Sequence, residues 1–370
     1  MTIERGADPI PRNAGPERPR KAGEVHSRRM MRMVCAVLSA GLVGAVALFP
    51  SSAGATPRGN PKYPVPWTFA AAVPAGAENG PDVSPPGANI PCTPSAAHPY
   101  PVILVHGLGA DENDNWQTMS PFLADNGYCV YALTYGNNAS DPSPFDRFGG
   151  LGDMVASAHV LASFVESVLA RTHAAKVDIV GHSEGGTMPD YYIKFLGGSR
   201  VVAHFVAISG VLHGTSLWGL SDLYALGQAY GYSSEEQQFF SGLCAACLEF
   251  LPTSSWMEAL DAPNAHATSS EAATCPYDGA AVDGVSYMSL ATDNDELVRP
   301  PTSDFINPRC DSAKSHITVD NILVQDQCPA DQADHLSMAA DPVVAQDVLN
   351  ALDPSHRHRV GCFVVLPAVG

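Results

Sequence analysis

From residue 101 onward, short apolar runs alternate with stretches of helical periodicity. Residues 102–105, 128–133, 176–180, 202–209, 285–292 and 317–325 are short runs, most of them rich in β-branched and aromatic side chains. Such runs are buried on both faces of a parallel sheet. Between them, residues 116–126 read as a short helix ending at Gly127. Met154, Ala158, Leu161, Val165 and Val168 fall on one helical face, with Asp153 placed to cap it. Residues 185–196 form the next predicted helix, where Pro189 lies early enough for its missing N–H to do little harm. Residues 341–352 close the series, with Pro342 in the first turn and Asp353-Pro354 as the stop. Strands alternating with helices predict a mostly parallel sheet with helices on both faces, an α/β domain over residues 101–370. The rhythm breaks over about 215–280, where residues 217–226 and 239–251 are apolar and helical in pattern. That interruption reads as a helical cap over the carboxyl ends of the strands, where such sheets place their ligands.

The N-terminal part has a different character. Arg28, Arg29 and Arg32 precede an apolar stretch over 34–49, and Ala53-Gly54-Ala55 follows. This order predicts a signal peptide over residues 1–55 and a mature start near Thr56. The apolar stretch is short for a membrane span, so no transmembrane segment is expected after cleavage. Ser27-Arg28-Arg29 hints at twin-arginine export. Residues 56–100 are rich in proline, glycine and alanine and read as an extended arm, tied down through Cys92.

The formal charge of the 370-residue chain is −18, and a leader carrying eight basic and four acidic residues leaves −22 behind. Such a chain repels nucleic acid and anionic membranes at long range, which excludes nucleic acid as a partner and fits a secreted, extracellular monomer. Of nine cysteines, eight lie beyond the leader, an even count that suggests disulfides in an exported chain. Cys92 pairs with Cys129 on this reading, because the strand carrying Cys129 is expected beside the one that follows Cys92. Cys244-Ala-Ala-Cys247 offers half a metal site or a redox pair. No second C-x-x-C and no spaced histidine pair accompanies it, so no metal and no cofactor are indicated.

The chemistry concentrates at Lys176-Val177-Asp178-Ile179-Val180-Gly181-His182-Ser183-Glu184-Gly185-Gly186. A β-branched strand ends in glycine, serine follows, and two glycines open a helix, which is the layout of a nucleophile elbow. The turn brings the residues two before and two after the serine together, and Gly181 and Gly185 remove the collision. A serine hydroxyl needs a base to take its proton and a carboxylate to orient that base. The acid belongs in the loop after the next-to-last strand, where Asp293 and Asp295 both lie, and position alone does not separate them. The base belongs after the last strand, where His335 lies; His316 precedes that strand and would emerge at the wrong end of the sheet. Residues 102–109 run from a buried strand into a glycine-rich turn, so Leu108 is expected to offer one oxyanion N–H and Glu184 the other. His106 is read as a brace for that turn, with a catalytic base as the alternative.

These motifs resemble the bacterial class 2 lipase family of secreted α/β-hydrolases that act on fatty-acyl esters. The resemblance runs from about Pro101 to the C-terminus, through Val105-His106-Gly107, Asn115-Trp116, Asn126-Gly127-Tyr128-Cys129, Gly150-Leu151-Gly152-Asp153, the elbow with Met188 to Gly198, His213-Gly214-Thr215 and Gln325-Asp326-Gln327-Cys328-Pro329. It implies an α/β-hydrolase fold, a catalytic set of Ser183, Asp295 and His335, and an ester or lipid substrate met at a lipid–water interface. The family's T-x-x-D-E-x-V-x-P pattern places its acid on Asp295, and Asp334-His335-Leu336 places its histidine on His335. Glu184 stands where such lipases usually carry glutamine, Asp190 where a basic residue is common, and Arg299-Pro300-Pro301 departs from the usual polar sequence. A triacylglycerol lipase is the reading that follows. An acyltransferase or polyesterase on the same fold, and a non-catalytic binding module, are the alternatives.

Overall fold

Six apolar segments become six strands: β1 (Val102–Val105), β2 (Val130–Leu133), β3 (Val177–His182), β4 (Val202–Ile208), β5 (Ser286–Ala291) and β6 (Thr318–Leu323). They form one sheet in the order β2-β1-β3-β4-β5-β6, parallel at every pairing. The computed structural model describes residues 62–77, 83–137, 148–215, 244–262, 281–306 and 318–368. The predicted leader lies outside these residues, as do residues 216–243 and 263–280 of the predicted cap.

Side chains alternate across the sheet as the two-residue strand period requires. Ile103, Val105, Tyr131, Leu133, Ile179, Phe205, Ala207 and Tyr287 face one core. Val102, Leu104, Val130, Ala132, Val180, Val206, Ile208, Met288 and Leu290 face the other. The described helices are α1 (Phe69–Ala77), α2 (Met119–Asp125), α3 (Met154–Thr172), α4 (Met188–Phe195), α5 (Ala245–Glu249), α6 (Ser255–Asp261), α7 (Val324–Gln327) and α8 (Pro342–Leu352). Helices α3, α4 and α6 cover the first face, α2 and α8 the second. Burying each Leu or Val of the α3 stripe stabilises the fold by roughly 1.5–3 kcal/mol. The predicted cap of α3 is present: Asp153 accepts the Ala156 N–H at 2.8 Å. Asp341 caps α8 by accepting the Val343 N–H at 2.6 Å.

The expected helix over 185–196 is divided. A 3-10 turn spans Ser183–Gly186, and α4 starts only at Met188, with Pro189 at its second position. Two glycines and a strained serine favour the tighter turn, and the Thr187 hydroxyl bridges the break by donating to the Ser183 carbonyl at 3.2 Å. The strand expected over 317–325 ends at Leu323, where Val324–Gln327 turns helical.

Residues of the arm lie along the domain. The segment Phe69–Ala77 is helical rather than extended. The Lys62 and Tyr63 N–H groups donate to the Asp125 carboxylate, Trp67 packs edge-on against Phe122 at 5.1 Å, and Asn113 donates to the Gly76 carbonyl at 2.9 Å. Cys92 and Cys129 are joined, so the arm is fastened to the strand side of the sheet as expected. Cys328–Cys362 and Cys244–Cys247 are the other described disulfides, so the sulfurs of the C-x-x-C are bonded to each other. Cys275 and Cys310 lie outside the described residues.

Register aligns the strand ends. Val105 sits opposite both Leu133 and Gly181, His182 opposite Ile208, Ile208 opposite Leu290, and Ala291 opposite Leu323. The loops leaving β1, β3, β5 and β6 therefore emerge from one edge of the sheet.

Candidate active site

Ser183 holds a left-handed backbone at φ 56°, a conformation costly for a side-chain-bearing residue. It persists because the surrounding backbone leaves no alternative. A Cβ on Gly181 would lie 1.6 Å from the Gly185 carbonyl oxygen, and one on Gly185 would lie 1.9 Å from the Val105 carbonyl oxygen. Only glycine fits at either place. The strand-to-turn junction thus lies directly against the loop leaving β1. A Cβ on Gly107 would come within 3.0 Å of Ser183 Cβ, so this loop flanks the serine.

His335 and Asp295 meet, though they stand 40 residues apart: His335 Nδ1 is 2.8 Å from Asp295 Oδ2, and both side chains are buried. The other Asp295 oxygen accepts the Leu297 N–H at 2.9 Å and the Val298 N–H at 2.7 Å, which fixes the carboxylate plane. Asp293 is exposed, and its N–H donates to Gln325. Of the two acids that position left open, only Asp295 reaches the histidine. His335 Nε2 is buried and has no hydrogen-bond partner among the described residues. Several hydrogen bonds pin the loop bearing His335. Its own N–H donates to Glu296 at 3.2 Å, and the Thr292 hydroxyl donates to the Ala333 carbonyl at 2.6 Å.

Opposing forces act on this pair. Burial lowers the His335 pKa, but the Asp295 charge and hydrogen bond outweigh it, with help from Glu296 and Asp334, and the net shift is upward from 6.5. Burial raises Asp295, but the imidazolium and the two N–H donors outweigh that, and the net shift is downward. Asp295 remains ionised and a proton on His335 is stabilised, as a base oriented by a carboxylate requires.

His106 is fully buried and pushed down to about 4 by that burial. It is neutral, with Nδ1–H donating to the Gly107 carbonyl at 2.8 Å and Nε2 accepting the Tyr135 N–H at 3.2 Å. Its ring stacks on Tyr135 at 4.3 Å, and the Tyr135 hydroxyl donates to the His106 carbonyl at 2.7 Å. Every contact braces the β1 loop. Leu108 and Glu184 meet across Gly150: a Cβ there would lie 3.0 Å from Leu108 Cα and 2.6 Å from Glu184 Oε2.

The Glu184 carboxyl is fully buried, and neither oxygen has a close hydrogen-bond partner among the described residues. Burial pushes it well above the ordinary carboxylate range, reinforced by the Glu249 charge, while the neighbouring Tyr135 hydroxyl opposes this only in part. Enclosure thus favours the protonated, uncharged form of Glu184. Asp190, Asp304 and Asp341 are likewise buried and pushed well above the ordinary range, chiefly by desolvation.

Sequence reasoning overlooked three residues here: Thr292, Glu296 and His182. His182 Nε2 is 2.9 Å from the His335 carbonyl, and its Nδ1 is 3.2 Å from Asn115 Oδ1. No local pattern announces these roles, because each depends on a loop far along the chain. No cluster of three or more histidine, cysteine, aspartate or glutamate side chains able to hold a metal occurs among the described residues.

A family model described as Lipase (class 2) matches residues 99–346. A triacylglycerol lipase from Pseudarthrobacter phenanthrenivorans is 37% identical over 101 residues, covering 26% of this chain and 28% of that protein. One from Burkholderia plantarii is 37% identical over 101 residues, covering 26% and 25%. The aligned stretch thus spans about a quarter of these curated relatives. Among solved structures, Aspergillus fumigatus lipase B has a TM-score of 0.47 at 18% identity, covering 83% of this chain and 64% of that one. The mature form of Bacillus licheniformis lipase BlEst2 has a TM-score of 0.45 at 15% identity, covering 72% and 96%.

Proposed function

The chain belongs to the class 2 lipase family, and from that premise we propose that it hydrolyses carboxylic esters, with triacylglycerols as the substrate class. The observation that carries this reading is the buried His335–Asp295 hydrogen bond at 2.8 Å, with His335 Nε2 left without a partner among the described residues. The base stands on the sheet edge from which Ser183 also emerges.

Ser183 Oγ attacks the ester carbonyl carbon while its proton passes to His335 Nε2. Asp295 keeps the His335 proton on Nδ1, so Nε2 is free to accept. The carbonyl π pair moves to oxygen, and the Leu108 and Glu184 N–H groups receive that negative charge. A charged Glu184 side chain would oppose the oxyanion, but a neutral one does not. Collapse of the intermediate breaks the C–O bond, and the leaving alkoxide takes the proton from His335. Water, deprotonated by the same imidazole, then releases the fatty acid and restores Ser183.

The disulfides fit export to an oxidising compartment. They support the secreted reading of the leader. Helices α5 and α6 lie in the insertion between β4 and β5 and pack into the core of the first face.

The test is turnover of p-nitrophenyl esters of increasing chain length and of emulsified triacylglycerol, beside Ser183→Ala. Hydrolysis of long-chain esters by the wild type, with at least about 10⁴-fold loss in the variant, is the expected result. Turnover that survives Ser183→Ala would overturn the proposal.

A further inference from the structure

His182 ends β3, one residue before the serine, and its side chain is fully enclosed. Burial, with the neighbouring His335, pushes it down to about 3, so the ring is neutral and carries a single N–H. Two acceptors face it. The nearer is the His335 main-chain carbonyl, 2.9 Å from Nε2, and the farther is Asn115 Oδ1, 3.2 Å from Nδ1. The nearer acceptor takes the proton, so Nδ1 carries only a lone pair and makes no hydrogen bond with Asn115 Oδ1. Asn115 Oδ1 in turn accepts the Gly107 N–H at 3.0 Å, in the residue just before Leu108. One imidazole thus touches the backbone of His335 and the side chain that holds the β1 loop. Covalently, it is attached to Ser183. The rings of His182 and His335 lie 5.2 Å apart between centroids, close enough for displacement of one to be felt by the other.

Resting on the ester-hydrolase reading, we propose that His182 is a positioning residue. Its Nε2–H holds the His335 carbonyl, so the base is set relative to Ser183, the residue to which His182 is bonded. The role is geometric. His182 transfers no proton and touches no substrate. Catalytic groups misplaced by about 1 Å lose on the order of 10²-fold in rate, while substrate affinity is set elsewhere. The signature of a positioning role is therefore a fall in kcat at nearly constant KM.

His182→Met fills similar volume without a donor, whereas His182→Gln places an amide N–H near the position of Nε2. On p-nitrophenyl butyrate, His182→Met should lower kcat roughly 10–100-fold with KM within about twofold, and His182→Gln should recover kcat to within about fivefold of wild type. Equal kcat for the Gln and Met variants would overturn the proposal, as would a loss carried by KM. His182→Leu is a second donor-free variant for the case in which His182→Met fails to fold. It should likewise lower kcat at least about fivefold at constant KM, and wild-type kcat there would count against the proposal. Ser183→Ala separates the two levels. Turnover surviving in that variant defeats the hydrolase reading itself, whereas the His182 results bear only on how the site is held.

Discussion

Asp295→Asn changes one atom at the centre of the proposed site. Asparagine keeps an oxygen for the Leu297 and Val298 N–H groups, now at 2.9 and 2.7 Å, so the loop retains its anchor. Its NH₂ then occupies the position 2.8 Å from His335 Nδ1. Two donors cannot face each other there, so Nδ1 gives up its proton and the ring carries it on Nε2. That nitrogen can no longer accept from Ser183. A wrong tautomer in a well-formed site costs about 10⁴-fold in kcat, or about 5 kcal/mol of barrier at 1.36 kcal/mol per tenfold. The pH profile should move as well. In the wild type, Asp295 outweighs burial and His335 titrates above 6.5, so activity rises with pH through an inflection above that value. Without the carboxylate, the dominant remaining influence is burial, so the inflection of the residual activity should fall to lower pH. The assay is kcat/KM for p-nitrophenyl butyrate from pH 5 to 9, with Asp293→Asn as the control; being exposed, that variant should stay within about twofold of wild type. An Asp295→Asn enzyme within tenfold of wild type, with its inflection unmoved, would refute the reasoning.

Two stability predictions accompany it. Gly185→Ala forces a methyl to 1.9 Å from the Val105 oxygen, against main chain that has no room to yield, and should cost about 3 kcal/mol or more by urea titration, or prevent soluble expression. Replacing Cys92 and Cys129 with serine opens a loop of 37-residue separation and should cost about 4 kcal/mol, whereas opening Cys244–Cys247, separated by three residues, should cost only about 2 kcal/mol by the chain-entropy relation. Equal losses from the two disulfides would contradict that relation here.

Most of the sheet was legible because β1, β2, β3 and β5 are almost wholly buried, whereas edge strand β6, with Thr318 and Asn321 exposed, offers a weaker signal. The elbow was legible because its glycines answer a backbone collision that any sequence would meet there. Position reduced the acid to Asp293 or Asp295 and went no further, since both follow the same strand. What separates them is that one side chain turns inward to His335 and the other to solvent. The helix Phe69–Ala77 escaped notice because proline and glycine composition masks it, and its anchors are long-range contacts to Asn113 and Phe122. His182 escaped for a related reason. Its partner is a carbonyl 153 residues away, and a carbonyl leaves no trace in residue identity. Glu184 stands out in the sequence only as a departure from glutamine; its enclosure, which favours the uncharged form, shows only in the structure.

That enclosure, shared by Asp190, Asp304 and Asp341, also shapes how the molecule responds to acidity. All four are raised above their ordinary 3.8–4.5 in the native state and return to water on unfolding. Between those values the unfolded chain binds fewer protons, so this contribution to stability is whole in acid and drains away as pH climbs through the folded values. Turnover runs the other way, since His335 must shed its proton before it can work. The four acids and the imidazole thus answer pH in opposite senses: acid favours the enclosed carboxyls, while His106 and His182, held neutral by burial, and the working form of His335 favour a higher pH.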